Sequence, residues 1–291
     1  MLQKIVHIAQ TRGFASLLHA AYGKLRPLRA QAFSTTAALL QGKSGLEIGG
    51  YSQVFSPKGI FPAYTIVGQL DNCNYGNATV WEGHIQTGQT FRFNPDKPAG
   101  RQYVLEATDM HQIADAQYDF VLSSHVLEHT ANPLRALHEW LRILKPDGTL
   151  VMLLPHKDGT FDHRRPVTTL AHIQADFEQQ MGEDDLTHMA EILALHDLQR
   201  DPEAGDFEAF KARSAHNADN RCFHHHVFNT AAGVELLNHL GLQLLAVEAL
   251  RPMHILLVAR KLPLGSTPDN APFLRADASY HQQSPFVSDR L

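Results

Sequence analysis

Short apolar runs recur along this chain at a spacing that leaves room for a helix or a long connection between most of them, and this constrains its fold more than any other feature. GLEIGG (45–50), AYTIVGQLD (63–71), QYVLEA (102–107), YDFVLSSH (118–125) and GTLVMLLP (148–155) are rich in β-branched and large aliphatic residues. Such runs suit parallel strands covered on both faces, whereas a half-exposed strand would alternate with polar residues. Between the fourth and fifth runs, NPLRALHEWLRILKP reads as an amphipathic helix. Asn132 caps it, Pro133 fits its first position, and Leu134, Leu137, Leu141 and Leu144 share a face. Pro146 and Gly148 end it.

Near the C-terminus TAAGVELLNHLG predicts another helix, followed by LQLLAVEAL, a turn at Arg251 and Pro252, and HILLVARK. Two strands joined so closely must run antiparallel, because a parallel return needs about a dozen residues of crossover. Residues 72–100 carry Gly76, Gly83, Gly88, Pro95 and Pro98 with no helical period, so an irregular or β-rich segment is expected there.

The 291 residues carry a formal charge of -5, without the concentrated basic excess of a nucleic-acid binder. Cys73 and Cys222 are the only cysteines and form no C-x-x-C pair, which fits a reducing, cytoplasmic setting. No apolar run approaches the ~18 residues of a membrane span. Residues 1–46 lack Asp and Glu but include Lys4, Arg12, Lys24, Arg26, Arg29 and Lys43. Within that stretch, 1–42 reads as a basic helical arm. It suits a peripheral membrane contact, a protein contact, a transit peptide or a helix packed on the main domain, the last being favoured. Residues 263–291 hold four prolines among polar residues and are expected to be extended or mobile.

The order strand, S-S-H-V-L-E-H, amphipathic helix, L-K-P-D-G, strand over 118–155 resembles the class I S-adenosylmethionine-dependent methyltransferases. The resemblance extends over 45–155 and more loosely over 228–261. It implies an α/β, Rossmann-like, mostly parallel seven-stranded sheet with a C-terminal antiparallel hairpin strand. The methyltransferase domain would be 43–262, with 156–228 inserted after strand five as a substrate-binding cap.

S-adenosylmethionine as cofactor would explain why GLEIGGYSQVF has two glycines where dinucleotide loops have three: there is no pyrophosphate to cradle. By the resemblance, Glu47 supplies an acid near the methionine end, Gly49 and Gly50 permit close approach, and Ser52 adds a polar contact. Tyr51 and Gln53 occupy the family's other glycine positions. Asp71 is expected to accept the ribose hydroxyls, with Glu82 as its rival. Ala107, Thr108 and Asp109 would border the adenine, and Ser124 and His125 would touch cofactor where strand four ends.

Methyl transfer to a hydroxyl calls for a base, and His156, after strand five, is the first choice, with His129 and Asp162 as further catalytic candidates. The segment 156–228 holds nine of the nineteen histidines. In an extended HHH run, His224 and His226 would point to one side and His225 to the other. His163, His188, His224 and His226 are therefore candidate ligands of a divalent metal, and mixed His and carboxylate donors would favour zinc, manganese or iron. Arg164, Arg165 and Arg221 add donors for an anionic or polyhydroxyl substrate. The reading is a methyltransferase acting on a hydroxyl of a sugar, a glycan or a sugar-containing small molecule. The alternative is a non-catalytic or metal-binding module on the same fold.

Overall fold

The computed structural model describes residues 29–290. Most of the expected N-terminal arm, with its membrane or protein contact, lies outside the described residues. What is described of it packs on the domain. Helix α1 (Gln31–Thr36) buries Ala32 and Thr36, the Ala30 amide donates to the Ile60 carbonyl at 2.9 Å, and the Arg29 guanidinium donates to the Pro57 and Gly59 carbonyls.

Among the described residues eight strands form one sheet: β1 (Ser44–Ile48), β2 (Gln69–Asn74), β3 (Gly88–Phe91), β4 (Gly100–Val104), β5 (Tyr118–Ser124), β6 (Leu144–Pro155), β7 (Gln243–Leu250) and β8 (His254–Arg260). Their spatial order is β3-β4-β2-β1-β5-β6-β8-β7. The run from β4 to β6 is parallel, while β8 inserts antiparallel between β6 and β7. The mostly parallel sheet with its C-terminal hairpin is as the sequence implies. The eighth strand is the addition: β3 comes from the glycine- and proline-rich segment and pairs antiparallel with β4 at the edge.

Strand alternation sorts the core into two layers. Val121, Leu150, Met152 and Leu154 face α2 (Pro133–Ile143) and the later helices, while Phe120, Leu122, Val151 and Leu153 pack with Phe55, Phe61 and Tyr64. Helix α2 begins as its sequence dictates, with the Asn132 side chain accepting from the Arg135 amide and Pro133 at the first turn. Trp140 and Ile143 join Leu134 and Leu137 on its buried face, and Leu141 lies nearer the rim.

The insertion carries α3 (Leu170–Glu178), α4 (Met189–Leu195), α5 (Phe207–Ala215) and α6 (Asn217–Asn220), and α7 (Thr230–His239) returns the chain to the sheet. Its own apolar core is small: Ile192, Ala204, Phe210 and Phe223. Polar contacts supply the rest. Arg165, almost wholly buried, donates to Asp162 at 2.9 Å, Glu191 at 2.7 Å, and the carbonyls of His224 and His225 at 2.9 and 3.4 Å.

The tail departs from expectation. Residues 263–290 include two short helices, α8 (Ala271–Leu274) and α9 (Ser279–Gln283), and end in a buried Asp289. That carboxylate accepts from the Thr230 amide at 3.0 Å, the Thr230 hydroxyl at 2.6 Å and the Ser284 hydroxyl at 2.7 Å. Nonlocal partners order a segment whose composition reads as loop. Among the described residues no helix is long and apolar enough to cross a membrane.

Candidate active site

The sheet order reverses between β1 and β5, whose connections leave toward opposite edges, and this is where open α/β sheets bind ligands at their strands' carboxyl ends. A cavity of about 570 Å³ lies there. The ends of β1, β2, β4, β5 and β6 contribute Gly49, Asn74, Glu106, His125 and Pro155 to its floor, and the insertion contributes Phe161, Arg221 and His224 to its wall.

The loop after β1 shows how two glycines suffice. Gly49 has φ +76, a conformation open to glycine at little cost, and a Cβ there would lie 2.5 Å from a Val126 methyl. A Cβ on Gly50 would strike the Glu47 carboxylate at 2.4 Å. Glu47 thus works beneath the loop, outside the cavity lining, accepting from the Tyr64 hydroxyl at 2.7 Å and the Ser52 amide at 3.1 Å. Burial raises its pKa to about 7. Asn72 clasps the same turn, accepting from the Gly50 amide at 3.0 Å and donating to its carbonyl at 2.9 Å.

Of the residues expected to meet cofactor, Gly49, Ser52, Ala107, Ser124 and His125 line the cavity, and Gly50, Thr108, Asp109 and Asp71 do not. Asp71 is buried within β2, where its carboxylate accepts from the Arg101 amide and the Tyr118 hydroxyl, both at 2.8 Å. The strand starts at Gln69, not Ala63, and so ends at Asn74, three residues beyond Asp71. Ala63–Thr65 form a helical turn instead. Glu82, the rival, lines the cavity and accepts from the Tyr51 amide at 3.4 Å. Asp109 points to solvent beside His111, and Glu106 takes the lining position after β4. Arg221 bridges Glu106 and Glu183 there, with contacts of 2.8 and 2.5 Å.

His156 is also displaced from its expected role. Its side chain is fully buried away from the cavity, stacked on Phe286 with centroids 3.9 Å apart, its Nδ1 accepting from the Asp158 amide and its Nε2 3.2 Å from Asp289. Among the described residues, the histidines that reach the cavity are His125, His129, His224 and His254. His125 and His254 face each other at 3.0 Å, and burial lowers their pKa values to about 3 and about 4, so both are neutral near pH 7.

His129 donates through Nδ1 to the Phe223 carbonyl at 3.2 Å and places Nε2 3.8 Å from Glu128, whose two buried oxygens have no hydrogen-bond partner among the described residues. Burial raises the pKa of Glu128 to about 7. His224 stands edge-on to His129, its Nδ1 donating to Asp162 in a short contact. Burial works against its imidazolium, but the Asp162 carboxylate prevails and raises its pKa. Asp162 itself is buried beyond the lining. Burial opposes its ionisation too, yet His224 and Arg165 hold its pKa at about 2.

The four expected metal ligands do not converge. His224 belongs to the cavity. His163 pairs with Asp197 at 2.9 Å. His188 and His226 meet in a separate cluster with His172 and Asp176. The HHH run is not a regular strand, because Arg165 grips two successive carbonyls, and His224 and His226 diverge. Of the donors expected for substrate, Arg221 lines the cavity, Arg165 is internal, and Arg164 pairs with Asp197 at 3.2 Å.

Residues 77–152 match the family model described as a methyltransferase domain. No curated protein matches the sequence. Similar solved structures include S-adenosylmethionine-dependent methyltransferases from three organisms. The one from Mesorhizobium loti is 13% identical, with 79% of this chain and 98% of that one covered and a TM-score of 0.45. The one from Listeria monocytogenes is 16% identical, with the same coverages and TM-score. The one from Aquifex aeolicus is 11% identical, covering 82% and 98%, with a TM-score of 0.40. The family match spans β3 to β6, and the cavity lies at the switch point of this sheet order.

Proposed function

We propose that the protein methylates a hydroxyl group of a sugar, a glycan or a sugar-containing small molecule, with His224 as the base. The observation that carries this reading is the Asp162–His224 pair. Asp162 fixes the tautomer by accepting from Nδ1, which leaves Nε2 as the acceptor atom on a side chain that lines the cavity. Gly49, Ser52, Asn74, Glu82 and Glu106 are suited to hold S-adenosylmethionine. The glycine loop admits backbone approach, and the carboxylates can accept from hydroxyl or ammonium groups. When bound, the cofactor supplies a methyl group on a positively charged sulfur.

The chain's own residues would then do two things. The cavity walls would align the acceptor hydroxyl, and His224 Nε2 would take its proton while Asp162 stabilises the resulting imidazolium. Trp81 and Tyr51, exposed aromatic rings at the cavity, offer flat apolar faces beside polar groups, which suits a sugar ring. Both cysteines being free fits a cytoplasmic setting.

The test is methyl transfer from labelled S-adenosylmethionine to a panel of sugar and glycan acceptors, with the methylated atom located by mass spectrometry and NMR. The expected result is O-methylation by the wild type. His224→Gln should lower kcat by roughly 10²- to 10⁴-fold, with donor affinity retained. Transfer to nitrogen or carbon acceptors alone, or an undiminished kcat in His224→Gln, would overturn the assignment.

A further inference from the structure

We propose that His172, Asp176, His188 and His226 form a four-coordinate site for a transition metal of the zinc class, which fastens the insertion to the sheet domain. The site is separate from the cavity, and none of the four residues lines it.

The donor atoms come from three segments. His172 and Asp176 are one turn apart on α3, His188 sits at the start of α4, and His226 belongs to the strap that leads into α7. One donor atom from each lies within 4.8 Å of every other. The individual separations are 3.4 Å between the Nε2 atoms of His172 and His188, 3.4 Å from His172 Nε2 to Asp176 Oδ2, and 2.9 Å from His226 Nε2 to the same oxygen. A tetrahedron with metal–ligand bonds of about 2.0 Å has edges of about 3.3 Å. Three of the six edges are already close to that length, and the others lie within 4.8 Å.

Proton counting points the same way. His226 faces the Thr130 carbonyl through Nδ1 at 3.1 Å and Asp176 through Nε2, so both ring nitrogens look at acceptors. A neutral imidazole has a single N–H and satisfies one of them. An imidazolium could satisfy both, but only by burying its charge beside the Nε2 atoms that His172 and His188 direct into the same space. A divalent cation resolves all of these contacts at once. It accepts three Nε2 lone pairs and the carboxylate, while the Nδ1–H of His226 donates to a backbone carbonyl, as ligating histidines commonly do.

Because Thr130 lies between β5 and α2, the ion would tie α3, α4 and the strap to the sheet domain. The insertion's own apolar core is too small to secure it alone.

Metal content of untagged full-length protein, purified without chelator, measured by inductively coupled plasma mass spectrometry, should give about one zinc-class ion per chain. Cobalt added to the stripped protein should produce the intense visible absorption of a tetrahedral site. His172 is partly exposed, so His172→Ala should fold, yet it should weaken metal affinity by at least ~100-fold and alter the cobalt spectrum. Asp176→Asn should do likewise. His163→Ala, outside the cluster and paired with Asp197, should retain the metal. Stripped, folded wild-type protein that takes up neither zinc nor cobalt would overturn the site, as would unchanged affinity in His172→Ala and Asp176→Asn. Neither readout uses methyl transfer, so this site and the acceptor reading can fail separately.

Discussion

The floor of the cavity and the insertion that walls it are held together in opposite ways. The floor rests on strands whose side chains on both faces are largely aliphatic or aromatic, with polar groups such as Glu47 held individually, here by Tyr64 and Ser52. The insertion has four buried residues in its apolar cluster and is secured by Arg165, by carboxylate–histidine pairs and by side-chain contacts to backbone carbonyls. The first arrangement depends chiefly on apolar burial, with the His125–His254 pair as its acid-sensitive element. The second gains a reactive surface and becomes sensitive to both pH and ions.

The sharpest way to break this contrast is at Arg165. Replacing it with Met leaves Asp162 and Glu191 without their guanidinium partner and should cost about 3–5 kcal/mol. Hydrogen exchange should show the loss concentrated in 156–228, with the strands still protected. Uniform loss of protection across the sheet would show that the two regions are one cooperative unit.

The complementary change is Gly49→Val, which puts a branched side chain against Val126 at a positive φ. Donor affinity should fall by at least ~100-fold, about 2.7 kcal/mol, while the insertion's hydrogen-exchange protection stays as in wild type. Isothermal titration with S-adenosylmethionine measures the first. Unchanged affinity would remove this loop from the donor site.

Tyr64→Phe deletes the hydroxyl that donates to Glu47 and should cost about 1–2 kcal/mol, with a smaller loss of donor affinity than Gly49→Val. Chemical denaturation and titration together would place the variant. A loss of donor affinity as large as that of the glycine variant would mean that the buried carboxylate, more than the glycine, sets the loop.

The smallest expected effect concerns pH. His125 and His254 have folded pKa values depressed to about 3 and about 4. Their contribution to stability is therefore complete above the ordinary histidine value of about 6.5, and is lost as pH falls from there toward the folded values. The thermal midpoint should decline between about pH 6.5 and 4, and less steeply in His254→Gln. Identical slopes in the two proteins would place the acid sensitivity elsewhere.

The sequence makes the sheet legible because buried parallel strands need unbroken runs of β-branched and aliphatic residues, and little else in a globular chain looks like them. The cavity's location follows from that order, and Gly49, Ser52, Ala107, Ser124, His125 and His129 fall on its lining. Asp71 did not, because the apolar stretch before it is spent on a buried turn around Tyr64, which shifts the strand's end to Asn74. His156 follows its strand so directly that it resembles an active-site residue, and only its stacking on Phe286, 130 positions later, shows what it does. Partners so distant leave no local pattern. The metal cluster is half visible for the same reason: His188 and His226 stand out as histidines, but nothing in the sequence pairs them with His172 and Asp176.

The contacts of Asp289 with His156 and Thr230 also bear on how the far end of the chain behaves once made. Leu264 to Thr267 is an exposed, irregular stretch between β8 and the two terminal helices. Beyond it, residues 270–290 occupy their site on the domain much as a peptide occupies a receptor, with the peptide bond to the domain serving to keep the local concentration high. A protease cut within that stretch should therefore leave a complex that stays together at high protein concentration and comes apart on dilution.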